Sequence, residues 1–121
     1  MDMALKDDLG RLGEDLAAAE LERAGLRIVT RNWRCDAGEL DIVAIEGRTL
    51  VICEVKTRSS TLFGEPIEAL TPAKIDRIYR LASIFRRTHR VGTTEVRYDV
   101  VAIIARRGYQ PEIKHIRGAF G

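Results

Sequence analysis

The chain carries two hydrophobic periods. Near the N-terminus Leu5, Leu9, Leu12 and Leu16 recur at intervals of three and four, the stripe of an amphipathic helix over residues 7–24, and Gly25 is suited to end it. Residues 26–31 then read as a short strand and residues 32–38 as a loop carrying the lone tryptophan, Trp33. Two apolar runs follow, 39–46 and 49–56, separated by Gly47-Arg48, which predicts a tight hairpin. Residues 57–70, with Ser59-Ser60, Gly64 and Pro66, lack periodicity and read as a long loop, a feature that in a compact protein is commonly functional. Thr71-Pro72 supplies a cap and a first-turn proline for a second helix reaching Thr88, with Ile75, Ile78, Ala82 and Phe85 as its apolar stripe. A β-branched strand over 95–104 and a weaker one over 112–117 complete the order α-β-β-β-α-β-β. That order predicts an α/β protein in which helices flank a mixed central β-sheet, built as one domain over 1–121.

The hairpin brings chemistry into view. A two-residue turn sets Ile45 opposite Leu50, Val43 opposite Ile52, Asp41 opposite Glu54 and Glu39 opposite Lys56, all on one expected face. The other face carries Leu40, Ile42 and Ala44 against Val51, Cys53 and Val55, so both faces are apolar near the turn and the hairpin belongs in the middle of the sheet. Two carboxylates opposed at about 5 Å repel one another, and a divalent cation removes that repulsion. Mg²⁺ favours one or two protein carboxylates completed by phosphate and water, and Mn²⁺ suits similar oxygen ligands. Asp41 and Glu54 are the expected metal ligands, and Lys56 is placed to orient a water or stabilise phosphate charge. On an amphipathic edge hairpin such charges would be surface pairs worth about 0–1 kcal/mol. The apolar flanks argue instead for a site.

Composition narrows the setting. The chain has 121 residues, 45% of them hydrophobic and 31% charged, which excludes a disordered chain, and no apolar run is long enough to span a bilayer. The acidic start, Met-Asp-Met-Ala-Leu-Lys-Asp-Asp, is unlike a secretory leader, and two cysteines, Cys35 and Cys53, are too few for a disulfide framework. The cytoplasm is the expected compartment, with no membrane partner. The net charge of +2 is sorted along the chain, −4 over residues 1–50 and +6 over 51–121. His89 and His115 stand in no ligand spacing and read as surface or structural histidines.

Asp41, twelve intervening residues and then Glu54-Val55-Lys56 resemble the PD-(D/E)xK motif of the restriction-endonuclease-like nucleases, with Leu40 where the motif has proline. More specific are Gly13-Glu14 with Ala17, Asn32-Trp33-Arg34, Gly38-Glu39-Leu40-Asp41, Glu54 to Arg58, Phe63-Gly64, Lys74, Arg97 to Val101 and Ala119-Phe120. Together they resemble the YraN-like family, a group assigned to that nuclease superfamily and distantly similar to archaeal Holliday junction resolvases. Tyr98 stands where phenylalanine is more usual, and Cys53 where valine or an aromatic is. The resemblance implies a restriction-endonuclease-like fold and a Mg²⁺-dependent endonuclease site with Asp41, Glu54 and Lys56 as its centre. Similarity to the resolvases adds Glu14 as a further catalytic acid. On the first helix Glu14 lies off the leucine stripe, with Ala17, Ala18 and Leu21 on a second face; a helix apolar on two faces is expected to pack on both and leave Glu14 partly buried, the alternative being a solvated helix glutamate.

A nuclease acting on DNA, including branched or structured DNA, also needs phosphate contacts. The second helix carries Lys74, Arg77, Arg80, Arg86, Arg87 and Arg90 against the single acid Asp76, and Arg58 follows Lys56 directly. Arg58, Lys74, Arg77 and Arg80 are the expected nucleic-acid contacts, although a run of charge on a helix is also an ordinary solvated face. A two-fold pair of copies would suit paired nicks across a junction. Asp99 is expected to be a structural acid paired with Arg97 or Arg34. A second reading is a nucleic-acid-binding or adaptor module that keeps the nuclease fold without catalysis. A phosphohydrolase on small phosphates is a third, weakened by the absence of a glycine-rich phosphate loop.

Overall fold

The computed structural model describes residues 3–60, 62 and 64–121, with side chains from residue 8 onward. Five strands form one sheet in the order β1-β2-β3-β4-β5: β1 Arg27–Cys35, β2 Gly38–Glu46, β3 Thr49–Arg58, β4 Glu95–Ile104 and β5 Glu112–Phe120. Only the β3–β4 pair is parallel, so the sheet is mixed. Helix α1 (Met3–Arg23) covers one face through Ala17, Ala18 and Leu21 on Ile42, Ala44, Val51, Cys53, Val101 and Ile103. Helix α2 (Pro72–Thr88) covers the other through Ile78, Leu81, Ala82 and Phe85 on Val43, Ile45, Leu50 and Ile52. The expected α/β architecture, a mixed sheet flanked by helices, is the one observed.

Local chemistry accounts for the boundaries. Gly25, at φ +95°, ends α1, and the Leu26 amide returns to the Leu21 carbonyl at 3.0 Å. The Thr71 hydroxyl accepts the Lys74 amide at 3.2 Å to cap α2, with Pro72 in the first turn. Gly47, at φ +61°, occupies the first position of the two-residue turn between β2 and β3. The register from Glu46↔Thr49 to Ile42↔Cys53 is the one the turn dictates.

Several expectations are corrected. The segment 32–38 is not all loop, because β1 continues to Cys35 and pairs with β2 through Trp33↔Leu40 and Cys35↔Gly38. The leucine stripe is not the buried face of α1: Leu12 is 47% exposed and Leu9 and Leu16 are half-buried, whereas Ala17 and Leu21 are fully buried. The helix approaches the sheet on its small residues, and at Gly13 even a Cβ would collide with the Thr57 side chain. A leucine-faced approach would hold the helix further away. Within the expected long loop, β3 runs on to Arg58 and Pro66–Ala69 form a 3-10 turn. Phe63 and the side chain of Leu5 lie outside the described residues. No described helix is long and apolar enough to cross a membrane.

Candidate active site

The ladder between β2 and β3 stops at Ile42↔Cys53, one pair short of Asp41 and Glu54. The strands part there, and Asp41 Oδ2 accepts the Val55 amide at 2.9 Å in place of a backbone carbonyl. The expected arrangement, eight side chains on one face, does not extend past this fork. Val43, Ile45, Leu50 and Ile52 pack beneath α2, but Asp41 and Lys56 line a cleft whose opposite wall is α1. The break in alternation is visible in the backbone. Leu40 joins the core under α2 while Ile42, two residues on, joins the core under α1. On the neighbouring strand Asn32, between the paired positions Arg31↔Ile42 and Trp33↔Leu40, has φ +52°. Asparagine tolerates this left-handed conformation better than most side chains do.

The cleft has a volume of about 950 Å³ and gathers Glu14, Asn32, Glu39, Asp41, Lys56 and Arg58. The close seat of Gly13 on Thr57 brings Glu14 to it. Carboxylate oxygens of Glu14, Glu39 and Asp41 lie within 4.8 Å of one another. The Asn32 amide nitrogen, assigned by the acceptors it faces, donates to Glu14 Oε1 at 2.6 Å and Glu39 Oε1 at 3.1 Å. Arg34 Nε meets Glu39 Oε2 at 2.7 Å. Beside this group Glu54 feels the Asp41 charge, and Lys56 Nζ is 4.0 Å from Glu54 Oε1.

The electrostatics are those of acids crowded away from water. Burial, then the Asp41 charge, pushes the Glu54 carboxyl up to about 8, against the opposing pull of Lys56 and Lys74. Burial and Asp41 also raise Glu14. Glu54 Oε2 is buried and has no hydrogen-bond partner among the described residues. An unpartnered buried carboxylate oxygen next to a second carboxylate is the donor set a hard divalent cation takes. Glu14, Glu39 and Asp41 could together hold a divalent cation such as Mg²⁺ or Mn²⁺, with Glu54 close enough to feel the Asp41 charge.

The structure brings Glu14, Asp41, Lys56 and Arg58 into one cleft with Glu54 at its edge, and Lys74 lies close enough to Glu54 to lower its pKa. Arg77 and Arg80 are exposed on α2 and line no part of this cleft. Glu39 and Asn32 were not among the expected site residues. Their signal was Gly38-Glu39 leading into Asp41, and an asparagine beside Trp33 in what proves to be a bent strand.

Asp99 is the buried structural acid expected of it. Arg97 donates to both its oxygens (2.8 and 3.0 Å), His115 Nε2 lies 2.7 Å from Oδ2, and the Gly118 amide donates at 3.0 Å. Burial alone would raise its pKa, but the Arg97, Gly118 and His115 hydrogen bonds outweigh burial and hold it below the usual range. Arg34 takes no part, being paired with Glu39. His115 is thus structural, while His89 is exposed and stacks on Phe85 at 4.2 Å.

Fold and site together define a mixed-sheet α/β protein with a carboxylate-lined cleft where its central hairpin forks. The chain belongs to the family described as uncharacterised protein family UPF0102, which matches residues 13–103. A UPF0102 protein of Arthrobacter sp. (strain FB24) is 53% identical over 116 residues, covering 96% of this chain and 98% of its own. One from Acidothermus cellulolyticus is 51% identical over 125 residues, covering 95% of each chain. One from Frankia casuarinae is 48% identical over 119 residues, covering 98% of this chain and all of its own.

Proposed function

We propose that the protein is a divalent-metal-dependent endonuclease that hydrolyses phosphodiester bonds in DNA, including branched or structured DNA. The observation that carries this reading is the buried, unpartnered Glu54 Oε2 set against Asp41 and within reach of Lys56. A purely structural pair of acids at this depth would cost stability with nothing to offset it. Asp41 and Glu54 are the residues that would hold the cation, with Glu14 as a further acid of the site. A bound Mg²⁺ supplies Lewis-acid polarisation of the scissile phosphate and a more acidic water.

The chain's own residues do the rest. The Val55 amide fixes the orientation of Asp41, and Asn32 spaces Glu14 from Glu39. The Lys56 ammonium orients the attacking water or steadies charge on the phosphate oxygens. Arg58 lines the same cleft and is available to a neighbouring phosphate, and Lys74 adds positive potential beside Glu54.

The test is cleavage of linear duplex, single strand and four-way junction with Mg²⁺ or Mn²⁺. Wild type is expected to cleave at least one substrate, and Asp41→Ala and Glu54→Ala to abolish cleavage while keeping DNA binding. Lys56→Ala is expected to slow it by about 10²–10³-fold, the usual size of losing one stabilising donor. Salt-sensitive binding without cleavage by wild type would overturn the nuclease reading in favour of a binding or adaptor role.

A further inference from the structure

We propose that the opposite face of the protein holds a second, separate binding site that takes the backbone of single-stranded nucleic acid. A cleft of about 490 Å³ opens between the second half of α2 and the start of β4, lined among others by Tyr79, Ser83, Arg86, Arg87, Arg90 and Tyr98. It shares no lining residue with the acidic cleft, and it lies in the layer of α2 rather than that of α1.

Its chemistry is opposite to that of the first cleft. No acid lines it, and among the described residues none of its three arginines meets a carboxylate within 4.0 Å. Among the described residues the only side-chain partner of Arg87 is the Ser83 hydroxyl, at 3.2 Å. Cations near a helix C-terminus gain from the helix dipole, and that gain accounts for one or two such residues. It does not account for three guanidinium groups that line one concavity with no carboxylate partner among the described residues and with hydroxyl and phenol groups beside them. Arginine presents its fork to phosphate oxygens, so the expected ligand is a phosphate-bearing chain.

The aromatic wall narrows the ligand to a nucleic acid. Tyr79 meets Tyr98 edge-on at 4.9 Å, and Tyr98 stacks on Phe120 at 5.2 Å, so the two tyrosines beside the arginines are held rigidly. Fixed aromatic side chains beside a basic groove are how single strands are gripped without sequence preference. The cleft has the size of a small-ligand pocket, which suits one strand rather than the full width of a duplex. This site stands whether or not the acidic cleft cleaves DNA.

The experiment is binding of a fluorescent ten-residue thymidine oligonucleotide by the full chain in EDTA, across a salt series. Arg86→Ala/Arg90→Ala removes two exposed side chains and leaves the core intact. It is expected to weaken binding about tenfold and to reduce the salt slope by about 1.4, or about 0.7 per lost phosphate contact. Arg23→Ala/Arg27→Ala removes the same charge from exposed positions elsewhere and is expected to bind as wild type does. Equal weakening by both pairs, or binding by Arg86→Ala/Arg90→Ala within twofold of wild type, would overturn the site. Inorganic polyphosphate of ten units competing as well as the oligonucleotide would overturn its assignment to nucleic acid. Glu54→Ala measured alongside is expected to bind the oligonucleotide normally. Loss of cleavage there reads the first cleft alone, so failure of either proposal is distinguishable from failure of the other.

Discussion

Glu54 shows how one side chain can be costly to the fold and valuable to a site. Its carboxyl is raised to about 8, so folding favours the protonated form. The stability this confers is complete below the ordinary carboxylate pKa of 4.5 and declines as pH rises from there toward 8. Glu54→Gln should therefore stabilise the metal-free protein at pH 7 by roughly 3 kcal/mol, because pH 7 lies about 2.5 units above the ordinary value at 1.36 kcal/mol per unit, measured by denaturant titration in EDTA. Mg²⁺ should raise the melting temperature of wild type and much less that of Glu54→Gln, because the substitution removes one of the two carboxylates proposed to hold the cation. A cation-dependent shift that survived the substitution would remove Glu54 from the ligand set. Asp41 and Glu54 were legible in the sequence as opposed acids on a hairpin. Their common cleft with Glu14, Glu39 and Asn32 was not, because strict alternation along β2 hides the bend at Asp41.

Element α1 was legible as a helix apolar on two faces, but which face lies closest to the sheet was not. Four leucines at helical spacing outweigh a glycine and two alanines on any hydrophobicity scale, yet the small residues face the sheet. Close approach of the helix to β3 at Gly13 is what delivers Glu14 to the acids of β2, and a larger side chain at that position would prevent it. Gly13→Ala should cost about 1–3 kcal/mol by chemical denaturation, and should lower any Mg²⁺-dependent activity by moving Glu14. Leu12→Gln should change stability by less than about 0.5 kcal/mol, whereas Leu21→Ala should cost about 2–5 kcal/mol. A large loss at Leu12 would return the leucine stripe to the core.

Across the whole molecule, polar groups gather in two places with different purposes, the fork between β2 and β3 and the Asp99 cluster that joins β4 to β5. At the fork Asp41 accepts the Val55 amide and Glu39 meets Asn32 and Arg34, but Glu54 Oε2 has no partner among the described residues. At Asp99 a single carboxylate ties β4 to β5 through Arg97, His115 and the Gly118 amide, and Glu46 joins Arg97 to Arg117. Asp99→Asn should destabilise the protein by about 3–5 kcal/mol, the usual penalty for leaving a buried ion pair half-made. Because the Asp99 pKa is lowered on folding, its contribution is fully present above the unfolded value of 3.8 and is lost as pH falls through the lower folded value. Acid unfolding of wild type followed by circular dichroism should therefore steepen below about pH 4, and that added dependence should be absent in Asp99→Asn.

The sequence by itself determined the elements, the central hairpin with its register near Gly47, the capped second helix and the acid–acid–lysine set. These depend on neighbours a few residues apart, where periodicity, turn geometry and capping act. Only the tertiary structure decided that β1 reaches Cys35, that α1 packs on its small face, and that β2 bends so that Asp41 leaves the core beneath α2 for the cleft. Each of these depends on which surfaces meet across the sheet, where helix-to-strand distance and a single left-handed asparagine outweigh the local pattern. The same holds for the arginines of α2. Their charge was plain in the sequence, but packing against β4 separates those that line a second cleft from those that simply face water.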